Sequence, residues 1–346
     1  MIVFLNDSMC GGGAEKSMAR IVNELCKKIP LKVISLENSF CVNLDKNIET
    51  FYFHKKFNGR IQKIFTLFYD AYLLKRFVKS NNIKKVVSFQ YRSNLINIIS
   101  KLFGSSHKVI ISERNYPEYS LSYLPLFKAV VKILYKFADL VIVNASDTKE
   151  LLEKEWKIKN VKLIFNGYNK KEIIKKSYEP IEDIYKSIFN KKTIINVGRL
   201  TFQKGQKYLI KTLTQLPDYN LVLIGKGEDE KFLKNLAKKE GVEDRVYFLG
   251  FKDNPYKFIK KSDVFVFTSL YEGFPNALAE AVILRSKIVS FNFKAGANDL
   301  LPQKDLVEVG DINQLVEKIL NAIVYNDVTK DIKEISEEFL KVLNEN

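Results

Sequence analysis

Residues 264–281 read VFVFTSLYEGFPNALAEA. The run Val264–Thr268 is short, apolar and rich in β-branched and aromatic side chains, which is the composition of a strand buried on both faces. Gly273 and Pro275 then form a tight loop, and a helix is expected to start near Asn276 with Glu280 in its early turns. A strand that passes through a Gly/Pro loop straight into a helix is half of a βαβ unit. Repetition of that unit along the chain would fix the fold class.

The unit does repeat. Strand-like runs occur at Ile2–Asn6, Leu31–Leu36, Lys85–Phe89, Lys108–Ser112, Leu140–Asn144 and Val161–Phe165, and again at Thr193–Val197, Tyr219–Ile224, Arg245–Leu249, Val264–Thr268 and Ile288–Phe291. Helix-length segments separate them, a pattern of parallel sheets with helices on both faces. The first helix illustrates the reading: from Ala14 onward, Met18, Ile21, Val22, Leu25 and Ile29 form one apolar stripe, and Pro30 stops the helix before the next strand. Each half of the chain opens in the same way, MIVFLND…GGGAEK and TIINVGRL…KG. The break between domains is expected between Lys170 and Lys192, a charged stretch with Pro180 and no clear strand. The expected division is residues 1–172, residues 173–326, and a last segment 327–346 whose Ile332, Ile335, Phe339 and Leu343 have helical spacing and could brace the first domain. Two doubly wound units in tandem are expected to face each other across a cleft, with ligands at the carboxyl ends of the strands.

Composition narrows the classes. The chain has 346 residues, 46% of them hydrophobic, enough for two sizeable cores. The apolar start Ile2-Val3-Phe4-Leu5 is too short for a secretory h-region, and no apolar run approaches the ~18 residues of a spanning helix. Cys10, Cys26 and Cys41 have no metal-ligand spacing and read as free thiols in a reducing compartment. The net charge is +16, and residues 1–172 hold 29 Lys+Arg against 15 Asp+Glu, so nearly all of the excess lies there. A basic half can face nucleic acid, an anionic membrane or a phosphorylated acceptor, or can reflect a lysine-rich composition.

Three motifs carry chemistry. Gly11-Gly12-Gly13 lies between the first strand and the first helix, where backbone can approach a ligand and a helix N-terminus offers N–H groups, or where a tight turn is simply required. Its spacing is not that of a dinucleotide fingerprint. Gly198-Arg199-Leu200, followed by Lys204-Gly205, puts two cations on one strand-end loop, where they can clamp a diphosphate or stay solvated. The stretch from Ser269 to Ala281 brings Glu272 on the loop and Glu280 on the helix, two carboxylates suited to the hydroxyls of a ribose or hexose, with a helix N-terminus between them for a phosphate.

This last segment resembles the Glu-x7-Glu signature of retaining glycosyltransferases of family 4, which have the GT-B fold of two Rossmann-like parallel-sheet domains. GRL…KG is similar to that family's diphosphate loop, Gly225-Lys226-Gly227-Glu228 to its G-x-G-x element, and Phe248-Leu249-Gly250-Phe251 to the loop bordering the nucleobase. GGGAEK and Ile111-Ser112-Glu113-Arg114-Asn115 resemble members that build bacterial surface or lipid-linked glycans. The resemblance implies that Arg199 and Lys204, with Gly198, hold the donor diphosphate and that Glu280 holds the ribose. It implies that Glu272, with the backbone around Gly273, Phe274, Pro275, Asn276 and Ala277, holds the transferred sugar, while Gly225 and Phe251 lie on the donor side. Gly12, Gly13, Arg114 and Asn115 fall on the acceptor and sugar side. Arg114 stands where some relatives have a histidine; it could bind an acceptor phosphate or form a salt bridge with Glu113 or Glu118, but it is no base at neutral pH.

The implied reaction moves a hexose or N-acetylhexosamine from a nucleotide-diphosphate sugar, UDP by family frequency, to a polyprenyl-diphosphate-linked or saccharide acceptor, with retention and front-face attack. The nucleotide sugar is a co-substrate, no cofactor is implied, and the absence of any Asp-x-Asp speaks against a bound divalent metal. The segments Lys55–Ser80 and Tyr116–Phe137 interleave apolar and basic residues, as in helices that lie on an anionic membrane or that pack on a sheet. The expected location is cytoplasmic, peripheral on the inner face of the cell membrane. A GT-B-fold nucleotide-sugar epimerase is the alternative, and a nucleic-acid-binding protein a weaker one, since no reading module is present.

Overall fold

A computed structural model describes residues 1–10, 12–55 and 66–345. Gly11 of the glycine triplet and Ile61, Lys63, Ile64 and Phe65 of the first basic stretch lie outside the described residues. The chain divides into two compact units, Met1–Tyr168 with Lys330–Asn346, and Asn169–Thr329.

The first unit is built on a seven-stranded sheet in the order β3-β2-β1-β4-β5-β6-β7, comprising β1 (Ile2–Asn6), β2 (Leu31–Glu37), β3 (Glu49–His54), β4 (Lys85–Phe89), β5 (Lys108–Glu113), β6 (Leu140–Val143) and β7 (Val161–Leu163). Every pairing in it is parallel. The chain starts in the middle and winds outward both ways, so the loops after β1 and β4 diverge and leave a crevice at the carboxyl end of the sheet. Alternate side chains feed two cores: Val3 and Leu5 point to one with Leu74, Leu95 and Ile111, and Phe4 to the other with Met18, Ile21 and Val22. Strand β3 was not legible in the sequence. It is an edge strand whose residues are all exposed or half-buried, with only Phe51 and Phe53 packed on the core, and its aromatic run Phe51-Tyr52-Phe53 is not β-branched like its neighbours.

The second apolar core is completed from the far end of the chain. A short strand β8 (Gly167–Tyr168) pairs in parallel with Lys330–Asp331, and the helix Ile332–Asn344 follows directly. Its Ile332, Ile335, Phe339, Val342 and Leu343 pack with Met18, Ile21 and Val22 of the first helix, Gly13–Leu25. Asp331 caps this terminal helix by accepting from the Lys333 N–H.

The cysteines correct the sequence expectation. Cys10 and Cys41 form a disulfide, and only Cys26 is free. Their loops are held together by backbone: Met9 N–H donates to the Ser39 carbonyl, Cys41 N–H donates to the Met9 carbonyl, and Met9 bridges Phe40. Sequence spacing carries no sign of this, because the two cysteines meet through loops at the ends of neighbouring strands. The pairing removes the thiol argument for a reducing compartment.

The second unit repeats the topology. Its six-stranded sheet has the order β11-β10-β9-β12-β13-β14, with β9 (Lys192–Val197), β10 (Tyr219–Ile224), β11 (Val246–Gly250), β12 (Val264–Phe267), β13 (Lys287–Ser290) and β14 (Ile323–Val324). All pairs are parallel except β13 with β14. Again the first strand is central, so the loops after β9 and β12, which carry the second and third motifs, leave adjacent strands at the same edge.

Phe339 is fully buried in the shared core of the two helices. Phe339→Ala is expected to cost roughly 3–5 kcal/mol through lost burial and the cavity left behind, seen as a lower denaturant midpoint for unfolding of the first unit.

Candidate functional site

The second unit assembles its motifs around the end of β9. Gly198 N–H donates to the Ile224 carbonyl and Leu200 N–H to the Lys226 carbonyl, so the loop after β9 runs beside the loop after β10. This closeness depends on Gly225. It sits at φ +146, and a Cβ there would lie 1.9 Å from the Gly198 carbonyl oxygen. Gly225 N–H in turn donates to the Gly250 carbonyl, which brings in the loop after β11, where Phe251 is exposed.

From the other side, the loop after β12 is tied to the same place. Leu270 N–H donates to the Gln203 carbonyl, Gln203 Nε2 to the Tyr271 carbonyl, and Thr268 Oγ1 to the Lys204 carbonyl. Glu272 N–H donates to the Lys294 carbonyl, fixing the loop from its outer side. These bonds deliver Lys204 Nζ to Glu272 Oε1 at 2.5 Å, with the ammonium also 5.6 Å from the centre of the Phe267 ring. Both side chains are largely buried, Lys204 at 17% exposure and Glu272 at 9%. A pair this dry is held by its geometry, and removing either partner strands the other's charge.

Glu272 is followed by half-buried Gly273, buried Phe274, and Pro275 at the N-cap of the helix Asn276–Ile283. No side chain caps this end; Asn276 N–H donates to the Phe274 carbonyl, and the amides of Ala277 and Leu278 stand at a helix N-terminus with its partial positive charge. Glu280 lies on the same helix, half-buried, and its Oε1 accepts from the Tyr256 hydroxyl at 3.3 Å. Arg199 is exposed, and among the described residues its guanidinium pairs with no carboxylate. The structure therefore joins Lys204 with Glu272, and leaves Arg199 and Glu280 outside that pair. Gln203, Lys294 and Tyr256 were missed in the sequence. Lys294 acts through its carbonyl, and Gln203 through its carbonyl as well as its side-chain Nε2; backbone contacts are announced by no side-chain pattern.

In the first unit, Gly12 is the N-cap of the first helix, with Gly13 its first residue. A Cβ on Gly12 would lie 2.1 Å from Glu15 Oε2, so the Glu15 carboxylate occupies the space beside this glycine. Glu15 Oε1 accepts from Gln90 Nε2 at 2.8 Å, and Gln90 holds φ +71 at the end of β4, a left-handed conformation unusual for a residue with a side chain.

Arg114 is 5% exposed at the end of β5. Its Nε donates to Ser112 Oγ and its Nη1 to Asn166 Oδ1, both at 2.8 Å, and the guanidinium stacks over Phe89. It forms a salt bridge with neither Glu113 nor Glu118; Glu118 pairs with Lys128. Glu113 is fully buried, accepting from the Tyr135 hydroxyl and from the N–H groups of Arg114 and Asn115. Burial pushes its carboxyl up to about 7 despite these three donors. Burial also pulls Arg114 down to about 9, with Glu113 offsetting part of the shift, so the guanidinium stays charged at neutral pH. His107 is a core side chain bonded to Ser105 and Asn97 and lowered to about 4 by burial, while His54 pairs with Asp70. Among the described residues, no group of three or more His, Cys, Asp or Glu is placed to hold a metal ion.

Two Rossmann-type sheets, the second with cations and acids gathered at its carboxyl edge, are the architecture of GT-B glycosyltransferases, and the comparisons agree. Residues 177–339 match the profile of glycosyl transferases group 1. A Campylobacter jejuni protein, N-acetylgalactosamine-N,N'-diacetylbacillosaminyl-diphospho-undecaprenol 4-alpha-N-acetylgalactosaminyltransferase, is 27% identical over 94% of this chain and 91% of its own. An uncharacterized glycosyltransferase of Methanocaldococcus jannaschii is 36% identical over 60% of this chain, a match that spans only 53% of that protein. The crystal structure of Anabaena HepE in complex with UDP and glucose superposes with a TM-score of 0.80 over 100% of this chain and 99% of that one, at 18% identity. The protein is a glycosyltransferase of the GT-B fold, and its residues 177–339 belong to glycosyl transferases group 1.

The raised Glu113 carboxyl makes stability depend on pH in a defined direction. A carboxyl that binds its proton more tightly folded than unfolded contributes stability that is complete below about 4.5 and is lost as pH rises through about 7. Glu113→Gln cannot titrate. The stability of the wild type relative to this variant is expected to fall across that window and level off above it, as read from paired urea unfolding series at successive pH values.

Proposed function

We propose that the protein is a retaining glycosyltransferase of family 4 that moves a hexose or N-acetylhexosamine from UDP to a polyprenyl-diphosphate-linked or saccharide acceptor, in bacterial surface or lipid-linked glycan assembly. The observation that carries this is the convergence of Lys204 and Glu272 beside the open N-terminus of the helix Asn276–Ile283. A departing diphosphate needs positive charge aimed at it, and Lys204, Arg199 and the helix amides supply it. Glu272 accepts from hydroxyls of the transferred sugar, and Glu280 from the ribose. Among the described residues no flanking pair of acids like a glycosidase's is assigned, and a donor phosphate oxygen takes the acceptor's proton as attack comes from the front face. The choice of UDP is supported by HepE, which binds UDP and glucose, and the lipid-linked acceptor by the Campylobacter relative, whose name includes diphospho-undecaprenol. The reaction is proposed to need no divalent metal, on the absence of Asp-x-Asp.

Lys204→Ala and Arg199→Ala are each expected to lower turnover by about 10²-fold or more, by analogy with removing one donor to a developing negative charge. The assay is sugar transfer in excess chelator. Wild-type turnover in either variant would refute the diphosphate roles, and loss of wild-type activity restored by magnesium would refute the metal-free reading.

Among the described residues, no helix is long and apolar enough to cross a membrane. The proposed location is peripheral, on the inner face of the cell membrane. The helix Pro125–Leu134 and its flanks support this: Tyr123, Leu126 and Ile133 are 74%, 84% and 58% exposed, with Lys128, Lys132 and Lys136 among them. Phe68 and Tyr72 on the helix Leu67–Ser80 are exposed as well, although Val78 of the same helix is buried. Binding to vesicles containing phosphatidylglycerol is expected at low salt and to fall steeply as salt rises. Failure to bind at low salt would remove the membrane from the proposal.

A further inference from the structure

We propose that Tyr256 is a positioning residue for the nucleotide's ribose, acting by holding the Glu280 carboxylate; this rests on the reading of Glu280 as the ribose partner. Tyr256 opens the helix Tyr256–Lys261, and Glu280 sits on a different helix, Asn276–Ile283. The phenol crosses between them to donate its one proton to Glu280 Oε1 at 3.3 Å. An ionised carboxylate accepts several hydrogen bonds and donates none.

The phenol can direct Glu280 because it is itself tethered. Tyr256 N–H donates to Asn254 Oδ1 at 3.1 Å. Asn254 Nδ2 donates to the Lys176 carbonyl at 2.9 Å and to Glu179 Oε2 at 2.7 Å, so the turn before the helix is fastened to the segment that enters this unit. The next residue repeats the fastening, as Lys257 Nζ bonds the Pro180 carbonyl and Glu182 Oε1. The helix start is thus held on both sides by residues with no part in the chemistry. A long acidic side chain with several accessible rotamers is held in one by a donor from this fixed support. Without that donor the carboxylate loses one of its tethers, binding the nucleotide must make up part of its ordering, and affinity falls.

The test compares Tyr256→Phe, Glu280→Ala and the double variant, using equilibrium binding of UDP and of 2′-deoxy-UDP together with steady-state KM and kcat for the sugar donor. Tyr256→Phe is expected to weaken UDP binding and raise the donor KM by about 3- to 10-fold, the range of a single net hydrogen bond, with kcat within about twofold of wild type. It is also expected to narrow the preference for UDP over 2′-deoxy-UDP. In the Glu280→Ala background the same change is expected to add nothing, because the two act through one contact. If Glu280→Ala weakens UDP binding and Tyr256→Phe does not, or if Tyr256→Phe costs as much without Glu280 as with it, the positioning role is overturned while the ribose reading stands. If Glu280→Ala leaves UDP affinity unchanged, the ribose reading itself fails and takes the Tyr256 role with it.

Discussion

The contact between Lys204 and Glu272 is the constraint around which the second unit is arranged. The two residues are 68 positions apart and belong to loops after different strands. They meet because β9 and β12 are neighbours in a parallel sheet, which sends both loops out at the same edge. The backbone and side-chain bonds from Gln203, Thr268 and Lys294 then set the distance. An ion pair with so little exposure gains from Coulomb attraction but loses much of that gain to desolvation. Such a pair is weak evidence of stabilisation and better evidence that a charge of each sign is wanted at that spot.

The two units share a topology and use their carboxyl edges differently. In the second unit the charged groups at that edge are joined to loops, and Arg199 and Phe251 are exposed. In the first unit the corresponding edge is filled: Glu113 is buried under Tyr135, Arg114 lies on Phe89, and the Glu15 carboxylate covers Gly12. A buried carboxylate with three donors and a buried guanidinium on an aromatic face form a rigid polar core, since each lost partner would leave an unpaired group in a dry place. Arg114 is held by its bonds to Ser112 and Asn166, while its Nη2 is buried with no hydrogen-bond partner.

How far the sequence could be read depended on whether a feature was local. The strand–loop–helix units were legible because hydrophobic period and Gly/Pro punctuation are local signals; the first helix carries Met18, Ile21, Val22 and Leu25 of its stripe but ends at Leu25, so Ile29 and Pro30 follow after a turn. Strand β3 was not, because it is an edge strand whose Phe51 and Phe53 reach the core only partly and whose other residues are polar or exposed. The Cys10–Cys41 bond was misjudged because the two loops are brought together by sheet order, which cysteine spacing does not encode. At the candidate site, the residue types came through as motifs: Gly198 and Gly225 are packed against each other, and Lys204 touches Glu272. The supporting contacts did not. Tyr256 looks like any helix aromatic until its hydroxyl is found on Glu280, and Lys294 contributes only its carbonyl.

On the proposed roles of Lys204 and Glu272, their pairing also sets how charge is shared when a diphosphate arrives. Alone, Lys204 and Glu272 sum to zero, so the positive field at the site comes from unpaired Arg199 and the uncapped helix end. A diphosphate approaching Lys204 competes with Glu272 for the same ammonium. That competition is eased if the sugar's hydroxyls donate to Glu272 at the same moment, because its carboxylate then keeps donors while the ammonium turns toward phosphate. Nucleotide and sugar would therefore be bound cooperatively at this pair: nucleotide alone draws Lys204 away from a carboxylate left short of donors, whereas the intact nucleotide sugar satisfies both partners. If the proposed roles hold, the buried pair favours the whole donor over the nucleotide it leaves behind.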